Sequence, residues 1–478
     1  MLVLAIPVPP LLAALASLLP ARPWLARVAT LAAAVLSLAA ALLAAQDVGG
    51  GLRLAAVPGY IGLDGLSTLL VLLQAVLAVT AALYSWGYIH REAQGDAQRE
   101  RRYYLDMNLF VVSLFLVPLL LQPALTWVAV ELTTLLSVFL VAFQRTAEAL
   151  EAAWKYAILT IMGATVAVLG ILLLLFALHS TAPLLPDTWA SLSLAAGRMP
   201  PAVVRLAFVL ILVGLGTKIG LFPMHTWLPD AHSQAPSPVC ALLSGVEVST
   251  VLYVLLRLMP VFGAMPGFPA RDWLVVFGLV SVAAASFLLL QVKDFKRMLA
   301  YSTVEHMGII LTAVGFGSAG TYAGLYQIVT HGLAKSLAFY AAGTVVLLYR
   351  TTAVDDVRGL LRRSPFSGAL LLLAALAVAG VPPFAVFLSE FSILRSGLIS
   401  GNTAAVALLA LFIAIAFIGV LRQVGHMLFG DGPAPASPRL PRSVGAALVL
   451  SLLPLLVLGV YTPPLLHNLL NLATAATR

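Results

Sequence analysis

The sequence predicts an all-α integral membrane protein in which residues 1–478 form a single polytopic domain. Hydrophobic residues make up 61% of the chain and charged residues only 10%, and the mean hydropathy is +1.03. Soluble proteins carry about 25% charged residues. Apolar stretches recur along the chain at the length that crosses a lipid bilayer, roughly 20 residues. No separate soluble domain is therefore expected.

These apolar stretches predict about fourteen membrane-spanning helices. Most Lys and Arg residues lie in the short loops between the stretches, which marks the ends of the spans. The predicted spans lie near residues 2–20, 25–45, 65–88, 105–121, 124–143, 152–178, 203–226, 236–258, 272–291, 298–316, 320–348, 366–394, 403–429 and 443–465.

The formal net charge of +8 reports topology rather than affinity for nucleic acid. Lys and Arg are concentrated in alternate loops, and loops rich in these residues stay on the cytoplasmic side of a membrane. The chain is therefore expected to lie in a bacterial or archaeal cytoplasmic membrane with both termini outside. The residues on the basic side are Arg22, Arg27, Arg91, Arg99, Arg101, Arg102, Arg145, Lys155, Lys293, Lys296, Arg297, Arg350, Arg358, Arg362, Arg363, Arg422, Arg439 and Arg442.

The single cysteine, Cys240, excludes a self-contained iron-sulfur cluster, a disulfide framework and a CxxCH haem site. His225 and His232 are seven residues apart with no evident third ligand, so they are interpreted as groups that line a loop rather than as a metal site. No cofactor or metal is expected in this chain. Any redox chemistry must belong to a partner.

The stretch from 212 to 245 carries a charge and a helix break inside one predicted span. Lys218 lies at mid-depth, and Pro223 lacks the N–H that would pair with the carbonyl of Ile219. Glu131 lies inside span five in the same way, and Lys218 is its natural partner. A charge near the bilayer centre costs about 2.5–3.5 kcal/mol, so it persists mainly where it faces a protein interior or a hydrated cavity. The pattern suggests an ion path.

Later spans carry further ionisable residues. Glu305 and His306 lie near the predicted start of span ten, where capping is as good an interpretation as function. His331 and Lys335 are four residues apart and share one helical face. Glu390 lies after the proline break of span twelve, whereas Lys218 lies before the proline break of span seven. These residues extend the predicted ion path into the second half of the chain.

An internal comparison relates the two broken helices. The chain has GLFPMHTWLPD from residue 220 and GVPPFAVFLSE from residue 380. Span seven enters from outside and span twelve from inside, so the two elements are related by inversion, which is typical of the ion path of a transporter. The matched pairs are Gly220 with Gly380, Pro223 with Pro383, Leu228 with Leu388, and Asp230 with Glu390.

Six segments resemble a known family. They are WVAVELTTLLSVFLV, ALEAAWKYAI, GTKIGLFPMHTWLPDAHSQAPSPVCALLSG, DFKRMLAYSTVEHMGII, THGLAKSLAFYAAG and GVPPFAVFLSEF. Similar segments occur in the antiporter-like membrane subunits of respiratory complex I, Mrp cation/proton antiporters and membrane-bound nickel-iron hydrogenases. The similarity covers about residues 60–430 and is strongest for the large antiporter-like subunit of the hydrogenase-4 and formate hydrogenlyase group.

The resemblance implies a fold of about fourteen transmembrane helices with two inverted five-helix repeats, and helices 7 and 12 are broken. The first repeat, spans 4–8, corresponds to residues 105–258, and the second, spans 9–13, to residues 272–429. Because the chain ends soon after span fourteen, the long lateral helix of the distal complex I subunit is not expected.

The resemblance also implies a proton relay along the middle of the membrane. At a helix-eight position where the family usually has lysine, this chain has Ser249 in SGVEVSTVLY, which puts the link between Lys218 and Lys335 in doubt. Glu247, Ser249, His306 or water are the candidates to make that link. The family's relay positions correspond to Glu131, Lys218, His331, Lys335 and Glu390, and further candidates are Glu247, Ser249, Glu305, His306, His225 and Asp230.

The expected function is that of a proton-translocating membrane subunit in an energy-converting redox complex. Such a subunit has no catalytic centre of its own and belongs to an oxidoreductase of the hydrogenase or NADH:quinone type. Its expected partners are the lipid bilayer, antiporter-like paralogues, a hydrogenase- or quinone-site subunit and peripheral redox subunits that hold the metal clusters. The alternatives are a subunit of a secondary transporter, either Mrp-type or for proton-coupled inorganic carbon uptake, and a structural anchor with idle buried charges.

Overall fold

The computed structural model describes residues 1–19, 23–432 and 440–478, so Arg22 and Arg439 lie outside the described residues. Within these ranges the chain is almost entirely helical. The helices are α1 (Val8–Leu18), α2 (Pro23–Gly49), α3 (Gly65–Glu92), α4 (Ala97–Leu119), α5 (Pro123–Val141), α6 (Ala147–Thr181), α7 (Trp189–Ala195), α8 (Pro201–Ile219), α9 (Trp227–Gln234), α10 (Ser237–Leu242), α11 (Val248–Gly263), α12 (Ala270–Leu289), α13 (Phe295–Gly315), α14 (Ser318–Tyr349), α15 (Leu360–Arg363), α16 (Pro365–Val378), α17 (Ala385–Ile399), α18 (Thr403–Leu428), α19 (Arg442–Leu458) and α20 (Pro464–Ala475). A π-helix, Leu243–Glu247, joins α10 to α11.

Ten helices in the described ranges are long and apolar enough to cross a membrane, and α1, α16 and α19 are shorter apolar helices. The prediction of a helical membrane protein is thereby confirmed. The structure also contains elements that the sequence did not predict: α7, α20 and an antiparallel hairpin of β1 (Leu54–Val57) and β2 (Ile61–Leu63). The first predicted span, 2–20, is helical only over α1.

The interior of the fold lies around α14 and the continuous rod formed by α10, the π-helix and α11. In the most apolar part of this rod every residue is buried, and in α14 the buried share is 89%. The corresponding share in α18 is only 28%, as expected for a helix that faces outward. α14 packs against α3, α10, α13, α16, α17 and α19. Charged residues on these inner helices are therefore shielded from lipid.

The first predicted helix break is present, but it lies earlier than the proline. α8 ends at Ile219, and Gly220 caps it in the left-handed conformation at φ +85°. The carbonyl of Thr217, in the last turn of α8, receives the indole N–H of Trp227 at 2.8 Å, so the first residue of α9 pairs with the end of α8.

The second break, between α16 and α17, is built in the same way. Gly380 is left-handed at φ +66°, as Gly220 is in the first break. In each case the residue after the glycine donates its N–H to the carbonyl five residues earlier, at 2.8 Å in the first break and 3.0 Å in the second. This is the hydrogen bond of a Schellman cap, which glycine favours because positive φ costs it little. The internal sequence match therefore corresponds to a shared backbone structure.

Candidate functional site

Lys218 lies at the end of α8 in a polar pocket formed by α5 and the π-helix. Only 1% of its side-chain surface is exposed. Its Nζ donates to the carbonyl of Val130 at 2.7 Å and to the hydroxyl of Thr134, and it lies 3.7 Å from Oε1 of Glu247. A buried ammonium is tolerated when it is both paired and hydrogen-bonded. Lys218 satisfies both conditions.

Glu247, the last residue of the π-helix, holds its two carboxylate oxygens in different environments. Oε1 accepts hydrogen bonds from the hydroxyls of Tyr156 at 2.9 Å and Thr133 at 3.1 Å. Oε2 is buried with no hydrogen-bond partner in the described residues. One oxygen is therefore fixed next to Lys218, while the other is available to a water molecule or a proton.

Glu131 does not form the predicted ion pair with Lys218. It is half-buried on α5, its Oε1 has no hydrogen-bond partner in the described residues, and it lies within electrostatic range of both Lys218 and Glu247. The reason is geometric. Lys218 contacts Val130 and Thr134, one turn apart on one face of α5, and the next residue in a helix is rotated by about 100°.

The second cluster surrounds Lys335, which is fully buried in α14. Its Nζ donates to the carbonyl of Leu299 at 2.9 Å, and it lies within electrostatic range of Glu305. Glu305 and Glu390 line the same cavity of about 10 Å³. A cavity of this size holds about one water molecule. The charges of this cluster are thus spaced apart, with room for water between the two carboxylates.

The helix-break glycine makes room for Glu390. A side chain at position 380 would collide with Oε2 of Glu390, so Gly380 serves both the cap and the carboxylate. Asp230, the matching acid in the first break, has a different environment. It is partly exposed and forms ion pairs with Lys155 at 3.2 Å and Arg297 at 2.8 Å. The structure does not bring Asp230 into the buried clusters.

The two clusters approach each other where the π-helix crosses α14. Gly245 and Gly332 lie backbone to backbone there, because a Cβ on Gly332 would lie 2.8 Å from the carbonyl of Gly245. This close approach brings Nε2 of His331 within 3.1 Å of the carbonyl of Ser244, to which it donates. Nδ1 of His331 is buried without a partner in the described residues. Its lone pair is free to accept a proton or a water hydrogen.

His306 packs against His331, with ring centroids 4.9 Å apart. Its Nε2 donates to the carbonyl of Val378 at 3.2 Å, so its Nδ1 accepts from the amide of Gln327 at 2.8 Å. Of the two interpretations left open for Glu305 and His306, helix capping is wrong. Both lie in the middle of α13 and are buried, and Asp294 is the residue that caps this helix.

Three other candidates are buried away from these contacts. His232 is stacked on Phe339 with ring centroids 5.1 Å apart, and neither of its ring nitrogens has a hydrogen-bond partner in the described residues. His225 is 6% exposed and packs against Phe222. His225 lies in the loop between α8 and α9, as predicted, whereas His232 lies inside α9, so the loop-lining interpretation is wrong for His232. The hydroxyl of Ser249 is buried without a described partner. No three His, Cys, Asp or Glu side chains form a metal-binding group in the described ranges.

Asp64 caps the start of α3. Its side chain accepts the N–H of Ser67 in a capping box at the start of α3. It also forms a two-pronged ion pair with Arg257, at 2.5 and 2.6 Å. Burial alone would raise the pKa of Asp64, but the Arg257 guanidinium and the hydrogen bonds lower this pKa to about 2. The pair is a fixed structural contact outside the two clusters.

The fold and the site together define a polytopic membrane protein with a row of buried ionisable residues in its interior. The transmembrane family described as NADH:quinone oxidoreductase/Mrp antiporter matches residues 123–418. This is more than half of the chain. The chain therefore belongs to this family, and the resemblance noted from the sequence is confirmed.

Individual relatives agree with this assignment. The chain is 36% identical to the hydrogenase-4 component F homolog of Methylacidiphilum infernorum over 84% of this chain and 85% of that protein. It is 32% identical to hydrogenase-4 component B of Escherichia coli over 77% of this chain, but it spans only 55% of that protein's length.

Two solved structures share the fold. A chain of the membrane-bound sulfane sulfur reductase, an archaeal respiratory membrane complex, superposes with a TM-score of 0.88 at 25% identity, covering 99% of this chain and 97% of that chain. A chain of the Mrp complex from Dietzia sp. superposes with a TM-score of 0.85 at 21% identity, covering 100% of this chain and 96% of that chain. The second likeness concerns the fold alone.

Proposed function

We propose that this chain is the proton-translocating membrane subunit of an energy-converting redox complex of the hydrogenase or complex I type. One observation carries the proposal. Two buried lysine–carboxylate clusters approach each other where the π-helix, which supplies Glu247 to the first cluster, meets α14 and His331 donates to the carbonyl of Ser244. Intramembrane ionisable residues are expensive and are typical of proton and ion paths. A row of such groups is suited to moving protons along the membrane interior.

The proposed relay begins at Glu131 and the Lys218–Glu247 pair, continues through His331 and Lys335, and ends at Glu390. Glu247 replaces the missing lysine of helix eight in this scheme, because it contacts Lys218 directly. The unpartnered Oε2 of Glu247 and Nδ1 of His331 are the groups that can exchange protons through water. Glu305, His306 and Ser249 are supporting positions, whereas Asp230 and His225 are not needed.

The proposed driving force is electrostatic. Opposite charges in a low-dielectric interior interact strongly, so a change in charge at Glu131 alters the free energy of the proton on Lys218. A proton that leaves Lys218 weakens its attraction to Glu247, and this change passes to the second cluster through the groups at the π-helix. Partner subunits that move or undergo reduction near Glu131 would supply the initial change.

The finer topology belongs to the same proposal. We infer fourteen spans, with inverted repeats over residues 105–258 and 272–429 and both termini outside the cytoplasmic membrane. The packing supports the repeats: α8 and α9 both pack against α6, and α16 and α17 both pack against α14. α6 and α14 are the third helices of their respective repeats. The shared Schellman caps are consistent with the same symmetry.

The chain is proposed to have no catalytic centre and to bind no cofactor, so metal clusters would lie in partner subunits. The relatives named for hydrogenase-4 components and the archaeal respiratory complex support membership of a multi-subunit membrane complex. Expected partners are antiporter-like paralogues, a hydrogenase- or quinone-site subunit and peripheral redox subunits.

The test begins with the native complex, purified in mild detergent and analysed for every subunit and for its metal content. Nickel and iron-sulfur subunits are the expected result. Proton translocation is then measured in vesicles with the complex carrying Lys218→Ala, which should abolish it without loss of assembly. Normal pumping by this variant would exclude the relay. A preparation with only membrane subunits or a zinc protein would instead favour a secondary transporter, to be tested by ion-flux assays.

A further inference from the structure

A basic cavity of about 500 Å³ lies between the ends of α4, α5 and α6, away from both buried clusters. The sequence places its arginines in loops that were assigned to the cytoplasmic side. Its charged lining consists of three guanidinium groups and one carboxylate, so its net charge is positive. The lining residues used below are Arg99, Arg102, Arg145, Asp106, Phe139 and Leu150.

The three arginines differ in how far they are already engaged. Arg99 donates to the carbonyl of Phe143 at 3.1 Å and to Oε1 of Gln144 at 2.9 Å, and it lies over the ring of Phe143. Arg102 is 56% exposed and makes only a long ion pair of 3.8 Å with Asp106. Arg145 is exposed, and none of the described residues is paired with it. Arg102 and Arg145 are therefore available to a ligand.

The opposite wall of the cavity is apolar. Phe139 on α5 and Leu150 on α6 are 47% and 48% exposed. Each begins a stripe of exposed apolar side chains that runs along its helix away from the arginines. On α5 the stripe continues with Leu135 and Val128, and on α6 with Trp154, Ile158 and Ile161. Guanidinium groups thus lie directly beside apolar side chains that face the membrane interior.

We propose that this cavity binds the phosphate group of an anionic phospholipid, with the acyl chains lying along the stripes of α5 and α6. Guanidinium groups match phosphate oxygens in charge and in two-pronged hydrogen-bond geometry. Basic pockets between transmembrane helices on the cytoplasmic side are suited to anionic headgroups. The single carboxylate, Asp106, is already next to Arg102 and leaves no second acid for the amine of a zwitterionic lipid.

A bound phospholipid can be distinguished from two other ligands that arginines would also bind. Free inorganic phosphate would use the arginines but not the apolar wall. An acidic side chain of a neighbouring membrane subunit would use the arginines and would depend on assembly. A lipid requires both walls and binds without any other subunit.

The experiment uses the full-length chain in mild detergent, incubated with mixed micelles of phosphatidylglycerol and phosphatidylcholine. Retained lipid is measured by native mass spectrometry. Arg102→Gln and Arg145→Gln should each reduce retained phosphatidylglycerol about fivefold, the effect of one basic residue near an anionic surface. The matched control is Arg362→Gln, because Arg362 is 81% exposed and pairs with the equally exposed Asp431. This control should retain lipid like the wild type.

Arg145→Lys keeps the positive charge but lacks the two-pronged donor geometry of the guanidinium group, so its retention of phosphatidylglycerol should lie between that of the wild type and that of Arg145→Gln. An intermediate value would also show that the neutral variant does not lose lipid through misfolding. Equal phosphatidylglycerol retention by all variants would overturn the proposal. Complete displacement by inorganic phosphate, with no preference for phosphatidylglycerol over phosphatidylcholine, would reduce the cavity to a phosphate site and also overturn it. Loss of a neighbouring subunit from the native Arg145→Gln complex, with lipid retention unchanged, would assign the cavity to protein contact instead.

Discussion

The two buried clusters hold their charges in different ways. Around Lys218 the cation and the carboxylate of Glu247 are 3.7 Å apart, and three hydroxyl groups complete their hydrogen bonds. Around Lys335 no carboxylate of the described residues is in ion-pair contact, and Glu305 and Glu390 share a small cavity instead. The first cluster depends on a direct pair, whereas the second depends on spacing and on a site for water. Substitutions should therefore affect the two clusters differently.

The largest effect is expected for Glu247→Gln, which breaks the pair of the first cluster. Proton translocation should be lost, and the free energy of unfolding should fall by about 3–5 kcal/mol, because Lys218 is left as an unpaired buried charge. Translocation is measured in vesicles and stability by thermal unfolding in detergent. Glu131→Gln is the control for a nearby carboxylate outside the pair, and its stability loss should be smaller because Glu131 is half-buried.

The double variant Lys218→Met/Glu247→Leu separates stability from transport in this cluster. Replacement of both buried charges by apolar side chains should recover most of the stability, since such replacements are often neutral or stabilising. Transport should remain absent. Recovery of transport together with stability would show that the pair is structural and would remove it from the relay.

Lys335→Met tests the second cluster, in which the charges are spaced apart. Transport should be lost as in the first cluster, but stability should change by less than about 1.5 kcal/mol, because methionine fills the space and no close ion pair is broken. The matched control is Lys296→Met. Lys296 is also buried, but it donates to the carbonyls of Ser233 and Ala235 at 3.0 and 2.6 Å. This control should lose stability and keep transport, the opposite pattern.

The contact between the clusters is tested by His331→Gln. The amide of glutamine can still donate to the carbonyl of Ser244, but it cannot accept and release a proton as imidazole does. Transport should slow by about 100-fold, the low end of the contribution of a positioned acid–base group, while stability is retained. His179→Gln serves as the control, since His179 lies at the surface beside Asp187. Unchanged transport would mean that protons pass the π-helix by another route.

A smaller effect, confined to stability, is expected for the ion pair of Asp64 and Arg257. Asp64→Asn should lower the free energy of unfolding by about 1.5–3 kcal/mol, the usual contribution of hydrogen bonds to a charged group. The folded pKa of Asp64, about 2, lies below the unfolded value of about 3.9. The stabilisation is therefore fully present above pH ~4 and is lost as the pH falls toward 2. Transport that fails in this variant would contradict a purely structural pair.

Much of the site could be predicted from the sequence, for a simple reason. A lysine or glutamate inside an apolar stretch must be shielded from lipid, so the burial of Lys218, Lys335 and Glu390 followed from their positions alone. The two helix breaks were also predictable, because glycine and proline recur there at matching spacing. Family membership followed from the same segments.

The partners of these charges could not be predicted in the same way. Glu247 reaches Lys218 from a π-helix, whose wider turn changes the directions of side chains that α-helical spacing would give. Asp230 and Glu390 occupy matching positions, but Asp230 meets Lys155 and Arg297 from other helices. Such contacts depend on the packing of distant segments, which a local pattern does not contain.

The smallest effect is expected at Ser249, the position where the family usually has lysine. Its hydroxyl is buried and has no hydrogen-bond partner in the described residues. If Glu247 makes the link between the clusters, Ser249→Ala should leave transport unchanged and alter stability by less than about 1 kcal/mol, because no protein hydrogen bond is removed. Transport and unfolding are measured as for Glu247→Gln. A clear loss of transport in Ser249→Ala would mean that the hydroxyl orders a water molecule on the path, so that spacing and water govern the first cluster as well as the second.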